Sequence, residues 1–163
     1  MSRMSWDDKL DYSMKLMALV LGLAVKSVKA DWGQKGISGL KREFFEAGKK
    51  LGRAEKKRLK LREADARSYH PIVAEALKAF NIRYKVTKRT PQDYILRIYG
   101  CPHGKNFRNA GAPPEVCDVF LGMDEGIVKG LNPKLEFALT RHVLRGDRYC
   151  EYTVRPVKRK RKG

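Results

Sequence analysis

Three cysteines, all in the C-terminal part of the chain, are the residues best suited to chemistry. Cys101 follows a strand-like run, Cys117 lies near the start of a helix-like run, and Cys150 begins the last strand-like run. Three separate elements could therefore bring the thiols together. Soft thiolates favour zinc, which takes four protein ligands in structural sites and three plus water in catalytic sites. On spacing alone, which matches no CxxC-type motif, three ordinary buried cysteines are the simpler interpretation.

Five further side chains could complete such a site. His103 is the best fourth zinc ligand by type and position, and it could also serve as a base. If one cysteine is the nucleophile, Asp124 or Glu115 could handle protons. Arg141 and Arg148 could hold a substrate carboxylate through two parallel hydrogen bonds. For each arginine, a solvated strand residue is the plainer alternative.

Strong positive charge is the second signal. The 163 residues carry 36 Lys and Arg against 18 Asp and Glu, a formal net charge of +18. Such an excess favours a polyanionic partner such as RNA, DNA or a ribosomal surface, although a solvated helical face is the default interpretation. The basic residues concentrate in one helix-like run and in the tail: Lys49, Lys50, Arg53, Lys56, Lys57, Arg58, Lys60 and Arg62, then Lys158, Arg159, Lys160, Arg161 and Lys162.

Several classes of protein are disfavoured. An odd number of cysteines argues against a secreted disulfide framework. The longest apolar run, Leu16 to Val25, is about half of the ~20 residues that cross a bilayer, which predicts a cytoplasmic protein without a membrane span. No GxxxxGK[ST], HExxH or GxSxG motif is present, so nothing indicates a nucleotide hydrolase, a zincin or a serine esterase.

The elements that must position these residues predict an α+β fold, with an antiparallel sheet of two hairpins packed against about four helices. Ser5 can cap a first amphipathic helix, which Asp31-Trp32-Gly33 ends. Further helices are predicted from Ile37, from Pro71, and from Pro113-Pro114, the last being closed by Gly130 and Pro133. Residues 1–157 are expected to form one domain, with 1–34 as its N-terminal helix and 158–163 as a disordered basic tail.

Turn residues define the two hairpins. The first pairs residues 83–87 with 94–99, and residues 100–104 leave it as a loop. In the second, Gly146-Asp147 is suited to a type II′ turn, which sets Val143 opposite Cys150 and Leu139 opposite Val154. Alternation along the strand then places Cys150 on the core face. His142 falls on the other face, where a pair with Glu151 is the preferred interpretation.

The C-terminal half resembles a known family. The carrying residues are Cys101-Pro102-His103, Pro114 to Cys117, Met123-Asp124, Asn132 to Leu135 and Gly146 to Tyr152, with weaker likeness in Gly36 to Arg53. Together these segments resemble the L-2-amino-thiazoline-4-carboxylic acid hydrolase-like family over most of residues 36–154. More distantly they are similar to the 4-vinyl reductase domain.

The resemblance implies that the cysteines form a site in an α+β domain. It implies a hydrolase that opens a thiazoline ring at its C–N bond, or, from the more distant relatives, a zinc-holding sensor of small ligands. The basic surface leaves a third alternative, a nucleic-acid- or ribosome-binding module with a structural zinc. A small-molecule ligand is expected in the first two cases, and a homo-oligomer is compatible with all three.

Overall fold

The computed structural model describes residues 5–157 as four helices and one four-stranded sheet. The helices are α1 (Trp6–Arg58), α2 (His70–Ala79), α3 (Pro102–Asn109) and α4 (Glu115–Leu131), and the strands are β1 (Arg83–Arg89), β2 (Tyr94–Tyr99), β3 (Leu135–Arg141) and β4 (Cys150–Pro156). The strands are all antiparallel, in the order β1-β2-β4-β3. The predicted α+β class is confirmed, whereas the tail predicted to be disordered, 158–163, lies outside the described residues.

Helix α1 joins two predicted helices. It begins with a capping box, in which the Ser5 hydroxyl accepts a hydrogen bond from the Asp8 N–H and the Asp8 carboxylate accepts one from the Ser5 N–H. Gly33 interrupts it with φ 55° and ψ −145°, a conformation suited to glycine. The predicted break is therefore present, but the helix resumes immediately after it.

Glycines set the contact between the second half of α1 and α4. A Cβ on Gly48 or Gly52 would overlap the carbonyl groups of Met123 or Ile127 on α4. From α4, Gly126 lies in the same way against α1, as do Gly122 and Gly130. Helix α4 ends at Leu131, between Gly130 and Pro133, which were predicted to close it, and Gly130 also serves the close packing.

The loop predicted for residues 100–104 is wrong in part. Helix α3 starts at Pro102, since proline has no N–H to leave unpaired in the first turn of a helix. Gly100 precedes it with a positive φ of 63°. Cys101 is consequently the N-cap residue of α3, and His103 is buried in its first turn.

The second hairpin differs from its predicted register. Leu139 pairs with Tyr152, and the chain leaves β3 after Arg141 for a 3-10 turn over Val143–Arg145. The three-residue turn forms because Gly146 closes it in a left-handed conformation, φ 99°, and so no two-residue type II′ turn exists. The predicted pair of His142 with Glu151 is also wrong, because His142 is buried and Glu151 bonds Arg97 and Thr140.

Candidate functional site

A half-buried acid lies beside the main hydrophobic core. Asp124, on α4, accepts a hydrogen bond of 2.5 Å from the hydroxyl of Tyr69, the last residue of a 3-10 turn over Ala66–Tyr69. Enclosure of the carboxyl raises the pKa of Asp124 from 3.8 to about 6, and the Tyr69 hydrogen bond offsets part of that rise. A carboxyl with a pKa of about 6 can accept or donate a proton near neutral pH.

Tyr152 connects this acid with the three thiols. Burial raises the pKa of Tyr152 well above its usual value, and the neighbouring Asp124, Cys101, Cys150 and Cys117 raise it further, in that order. Each of these groups is therefore close enough to Tyr152 to oppose its ionisation. Cys150 and Tyr152 belong to one hydrophobic cluster, against which Cys101 packs, whereas Cys117 packs against a second cluster around Ala18 and Phe107.

The thiols are protonated at neutral pH. Burial raises the pKa of Cys150 to about 11, and it raises the pKa of Cys117 further, with help from Cys101 and Cys150. The pKa of Cys101 is also raised by burial. The backbone N–H groups of Gly104 and His103 partly offset that rise, although their geometry falls short of a full capping hydrogen bond.

Cys101, Cys117, Cys150 and His103 were predicted to hold zinc. Within residues 5–157, no three His, Cys, Asp or Glu side chains are grouped as a metal ion requires. Zinc needs deprotonated thiols at about 2.3 Å, and burial here favours the neutral thiols. The described arrangement does not present a ready zinc site, and the zinc and its ligand set stay predictions.

His103 lies in an aromatic enclosure. Its ring centroid is 5.1 Å from that of Phe80, 5.4 Å from Phe120 and 6.5 Å from Phe107. Burial lowers its pKa, and Nδ1 has no hydrogen-bond partner among the described atoms. A neutral histidine with a free ring nitrogen can bind a ligand or accept a proton.

The other predicted site residues lie further out. Glu115 forms an ion pair of 2.7 Å with Lys29 of α1, which lowers the pKa of Glu115 and keeps it charged. Arg141 pairs with Asp147 at 3.5 Å and is exposed, as is Arg148. Glu115 lies nine residues before Asp124 on α4, which is about 14 Å along the helix, and the two arginines are exposed on the second hairpin.

Arg145 is a cation that sequence reasoning missed. It pairs with Asp118 at 2.5 Å, and it lowers the pKa of Cys117. The two-residue turn predicted at Gly146 placed Arg145 in a strand, whereas the 3-10 turn brings it to α4. Only the Gly-Asp sequence that closes the turn could have pointed to this position.

Most of the residues predicted to bind nucleic acid lie in the last turns of α1, and two follow directly after it. Lys50, Arg53 and Lys57 are exposed on the face that turns away from Gly48 and Gly52. Lys49 and Arg58 form ion pairs with glutamates, and the other members of the run are Lys56, Lys60 and Arg62. The predicted tail residues Lys158, Arg159, Lys160, Arg161 and Lys162 lie outside the described part of the chain.

Two grooves open on the surface. One of about 280 Å³ lies between the second half of α1, α4 and β3, and Asp118 and Glu125 are on its rim. Another of about 440 Å³ lies between the start of α1 and Ala79. In the described part of the chain, no helix combines the length and hydropathy needed to span a membrane.

Comparison with known proteins gives both a family and a fold. The family model described as L-2-amino-thiazoline-4-carboxylic acid hydrolase matches residues 13–154, which includes most of α1. The sequence matches no curated protein.

Two solved structures share the fold. One is the phenol-responsive sensory domain of the transcription activator PoxR with phenol: 15% identity, TM-score 0.66, over 85% of this chain and 74% of that chain. The other is a trafficking protein particle complex subunit 3 from Naegleria fowleri covalently bound to palmitic acid. It is 18% identical, with a TM-score of 0.65, and the match covers 93% of this chain and 99% of that chain. At these identities the likeness concerns the fold alone.

Proposed function

Because the chain belongs to the L-2-amino-thiazoline-4-carboxylic acid hydrolase family, we propose that it hydrolyses a C–N bond in a small cyclic amidine that carries a carboxylate. The observation that carries this proposal is the enclosed Asp124 carboxyl, whose pKa of about 6 suits proton transfer at neutral pH. Tyr69 donates a hydrogen bond to this carboxyl, and the buried Tyr152 is a further neighbour of it.

The proposed step uses Asp124 twice. As a carboxylate it takes a proton from a water molecule that attacks the amidine carbon. The same carboxyl returns that proton to the amidine nitrogen, which leaves a tetrahedral carbon that bears a hydroxyl. When the carbon–nitrogen bond breaks, Asp124 takes the hydroxyl proton and passes it to the departing nitrogen, so that a carbonyl forms and one water is added overall. Water is a better candidate than a thiol for the nucleophile, since the raised pKa values keep Cys101, Cys117 and Cys150 neutral.

Arg145 is the proposed partner of the substrate carboxylate. Its positive charge lowers the pKa of the Cys117 thiol, and its guanidinium pairs with Asp118 at the rim of the 280 Å³ groove. Arg141 and Arg148 point to solvent-exposed parts of the second hairpin instead. We place the substrate entrance at this groove because it is adjacent to α4 on the side of Asp118.

The test is turnover of L-2-amino-thiazoline-4-carboxylate, followed by mass spectrometry of the water-adduct product. Asp124→Asn keeps the shape of the side chain, and we expect it to lower kcat at least 100-fold. Glu136→Gln, an exposed change on β3, is the matched control. A folded wild-type protein without turnover of this or related cyclic amidines would contradict the hydrolase proposal.

A second candidate is a sensor of small ligands. It is favoured by the fold, because the two similar structures hold phenol and palmitic acid, and by the aromatic enclosure around His103. A sensor binds without turnover. Saturable binding of a phenol or of an amidine, with no product formed and no effect of Asp124→Asn, would support it over the hydrolase.

A further inference from the structure

An apolar strip lies unpacked along the first half of α1. It consists of Tyr12, Leu16, Leu19, Val20 and Leu23, which are between 44% and 61% exposed. At 3.6 residues per turn these side chains share one helix face, opposite Ala18 and Val25, which pack against α3 and α4. Contiguous exposed apolar surface of this kind marks a place of interaction in a soluble protein.

The strip is complementary to itself when a second copy is placed antiparallel. A two-fold axis near the middle of the strip sets Tyr12 opposite Leu23 of the second copy and Leu16 opposite Leu19. Such a contact is isologous, so that each pair occurs twice. The tyrosine at one end and the leucines at the centre match the composition of interface cores.

The charges beside the strip follow the same symmetry. Asp8 and Lys26 lie on the same flank of the helix, and both are exposed. In the antiparallel arrangement this flank faces its counterpart, so that Asp8 of each copy approaches Lys26 of the other. Lys26 makes no ion pair within residues 5–157, which leaves it available for this contact.

A lipid surface fits this helix less well. Helices that lie on anionic membranes carry Lys and Arg on their polar face. The first half of α1 instead balances acids with bases, namely Asp7, Asp8, Asp11 and Asp31 against Lys9, Lys15, Lys26 and Lys29. The overall positive charge of the protein comes from other segments.

From these observations we propose that the protein forms an antiparallel two-fold dimer through the apolar strip of α1, with Asp8 paired to Lys26 across the interface. The inference does not depend on the proposed hydrolase function. It assigns a partner, a second copy of this chain, to a surface that the fold leaves uncovered.

Sedimentation equilibrium of the full chain and its variants tests the proposal. We expect the wild type to be a dimer, and Leu16→Glu with Leu19→Glu to weaken dimerisation at least 100-fold. Leu51→Glu is the matched control, since Leu51 is exposed on the other half of the same helix. Circular dichroism establishes that each variant keeps its helix content.

A charge swap tests the orientation. Lys26→Asp and Asp8→Lys should each weaken the dimer about fivefold or more, and the double variant should restore it. Asp8→Lys also removes the carboxylate that accepts the Ser5 N–H, but the Asp8→Lys single variant and the double variant share that loss. A monomeric wild type, a dimer indifferent to Leu16 and Leu19, no restoration in the double variant, or binding through the strip to phosphatidylglycerol vesicles by a monomer would each overturn the proposal.

Discussion

The hydroxyl of Tyr69 donates its hydrogen bond to Asp124, although the two residues belong to a 3-10 turn and to a helix that lie far apart in the sequence. This contact holds a carboxylate in a site that otherwise favours the neutral acid. Both the stability of the fold and the proposed reaction should therefore depend on pH through this pair.

Stability should fall as the pH rises through the titration of Asp124. The folded state raises the pKa of this acid from 3.8 to about 6, so the folded protein binds more protons than the unfolded chain between these values. Each pKa unit corresponds to about 1.4 kcal/mol, and we expect Asp124 to remove roughly 3 kcal/mol of stability between pH 4 and 7. Urea unfolding at pH 4 and pH 7 measures this loss of stability in the wild type. The contribution of Asp124 to the loss should be absent in Asp124→Asn.

Removal of the Tyr69 hydroxyl should move the pH–rate profile. Its hydrogen bond lowers the pKa of Asp124, so Tyr69→Phe should raise the pKa of the acid limb above 6 and reduce activity at pH 6 more than at pH 8. Tyr94→Phe is the control, because Tyr94 is equally buried but bonds His70 at 3.0 Å. A profile that shifts equally in both variants would argue against the role of Tyr69.

The three thiols should react slowly with iodoacetamide at neutral pH. Their pKa values are raised by burial, to about 11 for Cys150, so the reactive thiolate is scarce. Peptide mass spectrometry should show alkylation that increases about tenfold per pH unit between pH 7 and 9. Glutathione, a solvated thiol, provides the reference. Zinc held by thiolates would give another outcome, in which a chelator accelerates the reaction and metal analysis finds zinc.

Alanine at the glycine contacts should be strongly destabilising. In Gly48→Ala and Gly126→Ala the new Cβ meets backbone carbonyl groups of the opposite helix, which cannot rotate away. Overpacking costs about 1–3 kcal/mol, and we expect the upper end of that range or loss of folding. Gly39→Ala has free space around its Cβ and should stabilise the helix by up to ~1 kcal/mol. Thermal and urea unfolding compare all three variants.

Nucleic-acid binding, if the basic run serves it, should depend steeply on salt. Charge reversal of Lys50, Arg53 and Lys57 removes exposed cations from one helix face, and the log-log salt slope on duplex DNA should become shallower by about 0.9 for each lost phosphate contact. Reversal of Lys85, Lys105 and Lys134, which are exposed elsewhere, is the control. Equal effects of the two sets would indicate attraction by net charge alone.

Local patterns predicted much of the fold. The capping signal at Ser5, the break at Gly33, the proline at the start of α2 and the turn between β1 and β2 each depend on residues close in the sequence. The close packing of α1 on α4 escaped prediction because glycine normally weakens a helix, and its value here arises only from the opposite backbone.

The candidate site was predicted in part. Asp124 was recognised as an acid, but its partner Tyr69 and the raised pKa follow from tertiary enclosure, which no periodicity encodes. The second turn was assigned from its Gly-Asp pair, and a longer turn with glycine at a positive φ fits the same residues. The predicted turn placed Arg145 in a strand, whereas the observed turn places it beside Asp118 of α4.

The glycine contacts also constrain the order in which the chain can fold. The second half of α1 is made early during synthesis and contains Gly36, Gly39, Gly48 and Gly52, which make an isolated helix unstable by up to ~1 kcal/mol each. Its partner α4 emerges only after the first hairpin and α3 have been made. This half of α1 should consequently stay largely unstructured on the ribosome until α4 emerges, and closure of that long loop should limit the folding rate.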